Sequence, residues 1–170
     1  MIKPKMEEAL NNQVNAELYS AYLYQSMSAH CASENLPGFA NWFDVQVQEE
    51  VTHAMKIYRY ILERGGKVTL KAIDQPPNKW STPLSIFEAT YTHEQKVTGL
   101  INDLVDLAIA EKDHATNIML QWFVEEQVEE EASADEVLQN IKRAGDSTDA
   151  LFMIDRELGK RVFTPPTTKE

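Results

Sequence analysis

The stretch from Phe43 to Ile61 has the sequence FDVQVQEEVTHAMKIYRYI and carries apolar residues at helical spacing. Steps of three and four residues place side chains on one face of an α-helix. In this stretch the same face also carries the carboxylate Glu50, and His53 follows it by one helical turn. We therefore expect a long amphipathic helix whose buried face contains an acid.

Three further stretches repeat this pattern, so four helices each direct a carboxylate toward the interior. The four faces are formed by Leu10, Val14, Glu17, Ala21 and Tyr24; by Phe43, Val47, Glu50, Ala54, Ile57 and Ile61; by Phe87, Tyr91, Glu94, Val97, Ile101 and Leu104; and by Leu120, Phe123, Gln127, Glu130, Ala134, Val137 and Ile141. A buried carboxylate is costly unless an opposite charge neutralises it. No Lys or Arg occupies these positions, so the pattern favours a dinuclear metal centre inside an all-α four-helix bundle.

The chain of 170 residues is expected to form a single domain. Turn and capping signals, among them Thr82 before Pro83 and Asp113, predict five helices at about 4–33, 37–64, 83–111, 113–143 and 149–159. The crossover between the second and third helices contains Pro76 and Pro77 and could span about 50 Å if extended. That length lets the second and third helices run parallel. The tail at 164–167 is expected to be frayed.

Composition excludes some classes of function. The chain has 27 acidic and 16 basic residues and a net charge of −11, which argues against binding nucleic acid. It has one cysteine, Cys31, so no internal disulfide forms, and a reducing, cytoplasmic location is expected. There is neither a signal-peptide core at the N-terminus nor an apolar run long enough to span a membrane, so no membrane partner is expected.

The motif Glu50-x-x-His53 directs two ligand heads to one point in the core. Mixed carboxylate and imidazole ligation suits iron or manganese better than calcium or magnesium. Known di-iron bundles combine two single glutamates with two Glu-x-x-His motifs. Here Gln127-x-x-Glu130 stands where the second motif would be. One metal should therefore have a histidine ligand, and the other should be held by oxygen and exchange more readily.

Three segments resemble the non-haem ferritins of prokaryotes: Asn15–Tyr24 (NAELYSAYLY), Glu49–Ala54 (EEVTHA) and Trp122–Glu131 (WFVEEQVEEE). The resemblance covers nearly the whole chain. It implies a ferritin-like four-helix bundle with one long crossover and a short fifth helix. It also implies a ferroxidase centre in each subunit and a homo-oligomeric shell of twenty-four subunits that stores ferric mineral.

The resemblance also implies a set of iron ligands. By match to the family, the first iron is held by Glu17, Glu50 and His53. The second is held by Glu94, Glu130 and the bridging Glu50, beside Gln127. A third position is formed by Glu49, Glu126 and Glu129, with Glu130 shared. Bacterioferritins bind haem through a methionine where this chain has Val51, so we predict no haem. Met55 lies in a different register and is expected to pack.

The remaining candidates have weaker signals. Tyr24 could donate an electron or a hydrogen bond to a ligand, although it could equally be a core tyrosine, and Trp122 is expected to pack. His30, His93 and His114 are expected at the surface or at helix ends. The acidic run from Glu125 to Glu131 is expected to serve iron transit.

Two alternatives to iron storage remain open from the residues. One is a di-iron or di-manganese redox enzyme of the rubrerythrin kind, although the chain lacks rubredoxin-type cysteine pairs. The other is a structural bundle without metal, or a mini-ferritin with sites between subunits. Hard anionic oxygens stabilise Fe(III), so oxidation by O2 or H2O2 is the favoured chemistry. The apolar fifth helix, with Leu151, Phe152, Ile154 and Leu158, is expected to pack against other copies.

Overall fold

The computed structural model describes residues 1–165, which form five α-helices and no β-strand. The helices are α1 (Pro4–Ser33), α2 (Pro37–Glu63), α3 (Pro83–Ala110), α4 (His114–Ala144) and α5 (Thr148–Leu158). Each begins and ends within one residue of its predicted range. Within the same part of the chain, none of the helices contains a membrane-spanning stretch of sufficient length and hydrophobicity. The predicted fraying of the tail falls partly on residues 166 and 167, which lie outside the described residues.

Local sequence explains where the helices begin. Prolines occupy the first position of α1, α2 and α3, where a helix needs no N–H donor: Pro4, Pro37 and Pro83. Thr82 caps α3 by accepting a hydrogen bond from the Ser85 N–H at 3.1 Å, and the Ser85 hydroxyl accepts one from the Thr82 N–H at 3.1 Å. Asp113 caps α4 by accepting from the Thr116 N–H at 3.2 Å. Both predicted caps are therefore confirmed.

Two apolar clusters show how the helices are oriented. One joins the end of α1, the start of α2, the start of α3 and the end of α4, with Phe43 and Phe87 at its centre. The other joins the start of α1, the end of α2, the second half of α3 and the start of α4, with Leu10 and Ile57 among its members. Hence α1 and α2 are antiparallel, α3 and α4 are antiparallel, and α2 and α3 are parallel, as predicted.

The crossover between α2 and α3 has no regular secondary structure, yet side chains of α1 hold it in place. The Asn11 amide donates to the Lys67 carbonyl at 3.0 Å and accepts from the Thr69 N–H at 2.7 Å. The Asn15 amide donates to the Ala72 carbonyl at 3.2 Å. These contacts pair backbone groups of the crossover that have no partner in a helix or a sheet.

The short helix α5 packs on its own bundle. Its Asp155 carboxylate accepts hydrogen bonds from the Gly38 and Phe39 N–H groups at 2.8 and 3.0 Å, at the start of α2. Three apolar side chains of α5 pack against the first cluster: Leu151, Ile154 and Leu158. Phe152 and Met153 remain 62% and 71% exposed. The sequence alone did not separate this inner face from the outer face, and for the exposed outer face the packing of α5 against other copies stays a prediction.

Candidate metal centre

A layer of polar side chains separates the two apolar clusters near the middle of the bundle. It contains residues from all four long helices, between 1% and 6% exposed: Glu17, Glu50, His53, Glu94, Gln127 and Glu130. Each lies on the buried face where the helical spacing places it. Among residues 1–165, no Lys or Arg forms an ion pair with any of these four carboxylates.

Three members of this layer form a compact group. Glu17, Glu50 and His53 each offer one ligand atom, and these atoms lie within 4.8 Å of one another. The Glu50 Oε2 atom is 3.6 Å from His53 Nδ1, which is too far for a good hydrogen bond. Glu17 Oε2 and Glu50 Oε2 are buried and have no hydrogen-bond partner within the described part of the chain. Such oxygens are costly in an apolar interior, so the group suits a cation.

Glu94 and Glu130 lie outside this group of three and are held by neutral donors. The Gln127 amide donates to Glu94 Oε2 at 3.3 Å, and the Tyr24 hydroxyl donates to Glu94 Oε1. The Gln46 amide donates to Glu130 Oε2 at 2.8 Å. These donors orient the two carboxylates without neutralising them. Within residues 1–165, no Lys or Arg balances the charge that the ionised forms of Glu94 and Glu130 carry.

Burial makes the ionised form of these acids unfavourable. It raises the pKa of Glu94 to about 8, with a further contribution from the charge of Glu130. Burial also raises the pKa of Glu17 and raises the pKa of Glu50 well above its usual value. In the absence of a cation these carboxyl groups therefore tend to hold protons. A metal ion that binds here must displace those protons.

The imidazole of His53 belongs to the group of three, which we call the inner group. It also faces a second set of acids, Glu49, Glu126 and Glu129, which we call the outer acids. Burial alone would lower the pKa of His53, but the nearby carboxylates of Glu126 and Glu50, 3.7 and 3.6 Å from its ring nitrogens, raise it well above its usual value. The ring of Trp122 meets the His53 ring edge-on, with centroids 5.4 Å apart. Burial, followed by the charge of Glu94, raises the pKa of Tyr24 well above its usual value. Tyr24 therefore remains a protonated donor.

The outer acids line a cavity of about 250 Å³ at the surface of the bundle. Its lining consists of Glu49, Thr52, His53, Glu126, Glu129, Phe163 and Thr164. Glu126 Oε2 is 3.7 Å from His53 Nε2, so the cavity adjoins the inner group. Burial raises the pKa of Glu49 to about 7, Glu130 adds to that shift, and Arg161 opposes it.

Sequence reasoning missed two glutamines that support the layer. Gln13 donates to Glu17 Oε1 at 2.9 Å, and Gln46 donates across the bundle to Glu130. Both residues are buried. Gln13 precedes Glu17 by four positions, and Gln46 precedes Glu50 by four. The spacing was a usable signal for Gln13, because residues four apart are neighbours on a helix, but not for Gln46, whose partner Glu130 lies on another helix.

The prediction for His93 is wrong in part: the residue is half-buried, and it lies within α3 rather than at a helix end. Its Nε2 atom is 2.8 Å from the Ser20 hydroxyl, and its ring meets Tyr24 edge-on at 5.8 Å. Burial lowers the pKa of His93 to about 4. His30 is half-buried against the ring of Trp80 at 5.4 Å, whereas His114 is exposed at the start of α4.

Comparison with known proteins identifies relatives over almost the full length. The chain is 47% identical over 161 residues to a bacterial non-heme ferritin of Bacteroides fragilis strain 638R, which covers 95% of this chain and 100% of the relative. It is 40% identical over 163 residues to a bacterial non-heme ferritin of Staphylococcus aureus strain MRSA252, which covers 96% and 98% of the two chains.

Solved structures agree with this result. An engineered closed form of the Archaeoglobus fulgidus ferritin is 51% identical, covers 96% of this chain and 100% of its own, and superposes with a TM-score of 0.95. The open-pore ferritin of the same archaeon is also 51% identical, covers 95% and 100%, and has a TM-score of 0.95. The family model described as the ferritin-like domain matches residues 7–144. The chain therefore belongs to the ferritin family of iron-storage proteins and, within it, to the non-haem ferritins of prokaryotes.

Proposed function

We propose that this chain binds Fe(II) at its buried layer of acids, oxidises it and deposits the ferric product inside a cage of identical subunits. The observation that carries this proposal is the group of Glu17, Glu50 and His53, whose ligand atoms lie within 4.8 Å of one another. Two of the carboxylate oxygens are buried without a hydrogen-bond partner. Their oxygen and nitrogen donors fit iron, which is here the substrate.

In the proposed centre, Glu17, Glu50 and His53 hold the first iron. Glu50 bridges to the second iron, which Glu94 and Glu130 complete, with Gln127 beside it. The charge of Glu130 adds to the raised pKa of Glu94 and of Glu17, and this supports the grouping, because such effects require short distances. The hydrogen bond from Tyr24 orients Glu94 for the second iron.

The ligand set also determines the direction of the chemistry. Anionic oxygens stabilise Fe(III) over Fe(II) and so make oxidation favourable. Two Fe(II) ions supply two electrons, and O2 takes these with two protons to form H2O2; alternatively, H2O2 takes two electrons and two protons to form two waters. The second iron has only oxygen ligands and exchanges more easily. Its path outward passes a third position at Glu49, Glu126 and Glu129, with Glu130 shared.

The cage is proposed to contain twenty-four subunits in the cytoplasm. Exposed apolar side chains, including Phe152 and Met153 of α5, are available for contacts between copies. The related Archaeoglobus fulgidus ferritins are described as open-pore and closed forms, terms that apply to a shell. The lone thiol Cys31 is compatible with a reducing compartment.

Aerobic addition of Fe(II), followed by particle sizing and iron counting, tests the proposal. We expect a large particle that retains far more iron than its ligand positions can hold. A small particle that retains only enough iron to fill the centre would instead indicate a di-iron redox enzyme. A particle that retains none would indicate a structural bundle.

Two variants test the centre itself. His53→Ala and Glu130→Ala should slow the early oxidation phase at least about tenfold while the assembly stays intact. Matched controls are His114→Ala and Glu136→Ala, which remove the same side chains at exposed positions of α4. Oxidation at the wild-type rate in both site variants would refute the centre.

A further inference from the structure

The segment that follows α5 is fixed against the start of α2. The Asn41 amide donates to the Leu158 carbonyl at 3.1 Å and to the Arg161 carbonyl at 3.0 Å. The Arg161 guanidinium donates to the Trp42 carbonyl at 3.3 Å and lies 4.7 Å from the centroid of the Trp42 ring. Both the backbone and the side chain of Arg161 are therefore held in one place.

This guanidinium reaches one of the outer acids. Arg161 Nη2 is 2.8 Å from Glu49 Oε2, and the two side chains are only 23% and 24% exposed. Over residues 1–165, Arg161 is the one Lys or Arg within ion-pair distance of Glu49, Glu126 or Glu129. An arginine keeps its charge at any pH at which the protein is folded. The outer acids therefore have a permanent, tethered cation at their edge.

The residues after Arg161 cover the same acids. Phe163 and Thr164 line the cavity of about 250 Å³ together with Glu49, Glu126 and Glu129. The tail thus closes one side of the cavity while Arg161 occupies an oxygen of Glu49. A divalent ion that used the same oxygen would meet the guanidinium at close range, where like charges repel strongly.

We propose that Arg161 is a resident counter-cation of the outer acids, and that an iron ion can occupy the third position only by displacing the guanidinium from Glu49. This inference rests on the proposed function, because it concerns the third position of that centre. The inner positions keep their full affinity, since Arg161 does not contact Glu17, Glu50 or His53. The third position binds more weakly and fills last; its filling frees the guanidinium from Glu49, while the bonds from Asn41 still hold the backbone of the segment.

Calorimetric titration of the full-length protein with Zn²⁺, which does not change oxidation state, measures the inner and third binding steps without turnover. In Arg161→Gln we expect the third step to be about fivefold tighter, because a competing ion pair has been removed. The inner steps should be unchanged. A third step that is unchanged, weaker or absent in Arg161→Gln would overturn the proposal.

Matched variants separate charge from tail release. Lys160→Gln removes the same charge one residue earlier, where Lys160 pairs with exposed Glu157 at 2.6 Å, and should bind Zn²⁺ like the wild type. Asn41→Ala loosens the tail but keeps the guanidinium, and should gain less than Arg161→Gln. An equal gain in Asn41→Ala, or any gain in Lys160→Gln, would contradict the role of the charge at Glu49.

A third comparison distinguishes this inference from the proposed function. In a Glu49→Gln background, Arg161→Gln should have no further effect on Zn²⁺ binding, because its partner is gone; a persisting effect would overturn the inference. Wild-type protein without any inner binding step would refute the metal centre itself. Normal inner steps with no response to Arg161→Gln would refute only the role of Arg161.

Discussion

Replacing Gly38 by alanine should destabilise the protein, although helix propensity alone predicts the opposite. Gly38 lies in the first turn of α2, where alanine would be preferred over glycine by up to about 1 kcal/mol. However, a Cβ atom at this position would lie 1.6 Å from the Asp155 carbonyl oxygen and 2.5 Å from its carbon. Real Cβ atoms essentially never approach a neighbour closer than 3.0 Å. Helix α5 must therefore move away from α2.

The contacts of α5 set the size of the effect. Movement breaks the hydrogen bonds from the Gly38 and Phe39 N–H groups to the Asp155 carboxylate, and bonds to charged groups contribute about 1.5–3 kcal/mol each. It also loosens the packing of Leu151 and Ile154 on the first apolar cluster. Because part of this loss is recovered by relaxation, we expect a net loss of about 2–4 kcal/mol. For a chain of this size that lowers the melting temperature by roughly 4–16 °C.

Thermal unfolding followed by far-ultraviolet circular dichroism measures this loss. Protein concentrations must be equal, because assembly links stability to concentration. Gly99→Ala is the matched control, since Gly99 lies exposed in α3 and a Cβ there would meet nothing within 4 Å. That variant should be up to about 1 kcal/mol more stable than the wild type. If Gly38→Ala melts at or above the wild-type temperature, the close approach of α5 to α2 is refuted.

Three further outcomes are expected. Asp113→Ala should lower the free energy of unfolding by about 1–2 kcal/mol in urea titration, because it removes the cap of α4 and the partner of Arg64 at 3.1 Å; an unchanged midpoint would contradict this. The pKa of Glu94, raised to about 8, lies above its unfolded value, so this group stabilises the metal-free protein below about pH 4 and loses that contribution as the pH rises through about 8. The melting temperature should fall from about pH 6 to about pH 9 in the absence of Zn²⁺ and stay constant in its presence. An equal fall under both conditions would refute the link to metal. Cys31 is buried, and burial raises its pKa to about 12. A thiol reagent should therefore react with Cys31 no faster than the chain unfolds. The rate of thiol modification, measured at increasing denaturant concentration, checks this.

Helical spacing was enough to predict that the four acids are buried. Glu17, Glu50, Glu94 and Glu130 lie in the interior because, in an amphipathic helix, the position in the period determines the face and the face determines burial. The helix starts followed from prolines and capping residues such as Thr82, whose effect is local. The parallel course of α2 and α3 followed from the length of the crossover.

Partners across the bundle did not follow from the sequence. The Asp155 carboxylate accepts a hydrogen bond from the Gly38 N–H, 117 residues away in sequence. A periodic pattern does not predict which backbone N–H groups such an acid will bind. The same holds for Arg161 and Glu49, since their contact depends on the path of a segment without regular structure. His93 was misplaced because its partner Ser20 belongs to another helix, and a small hydroxyl gives no signal of its own.

The unpartnered oxygens of Glu17 and Glu50 have a consequence for the lifetime of the protein in a cell. Leucine or methionine at such positions would give a more stable metal-free bundle, because a buried polar atom without a hydrogen-bond partner is costly. The acids therefore make the stability of the fold depend on the supply of iron, because an ion that binds only the folded chain shifts the folding equilibrium toward the folded state. We expect copies made during iron starvation to open more often and to be degraded sooner than copies made when iron is plentiful.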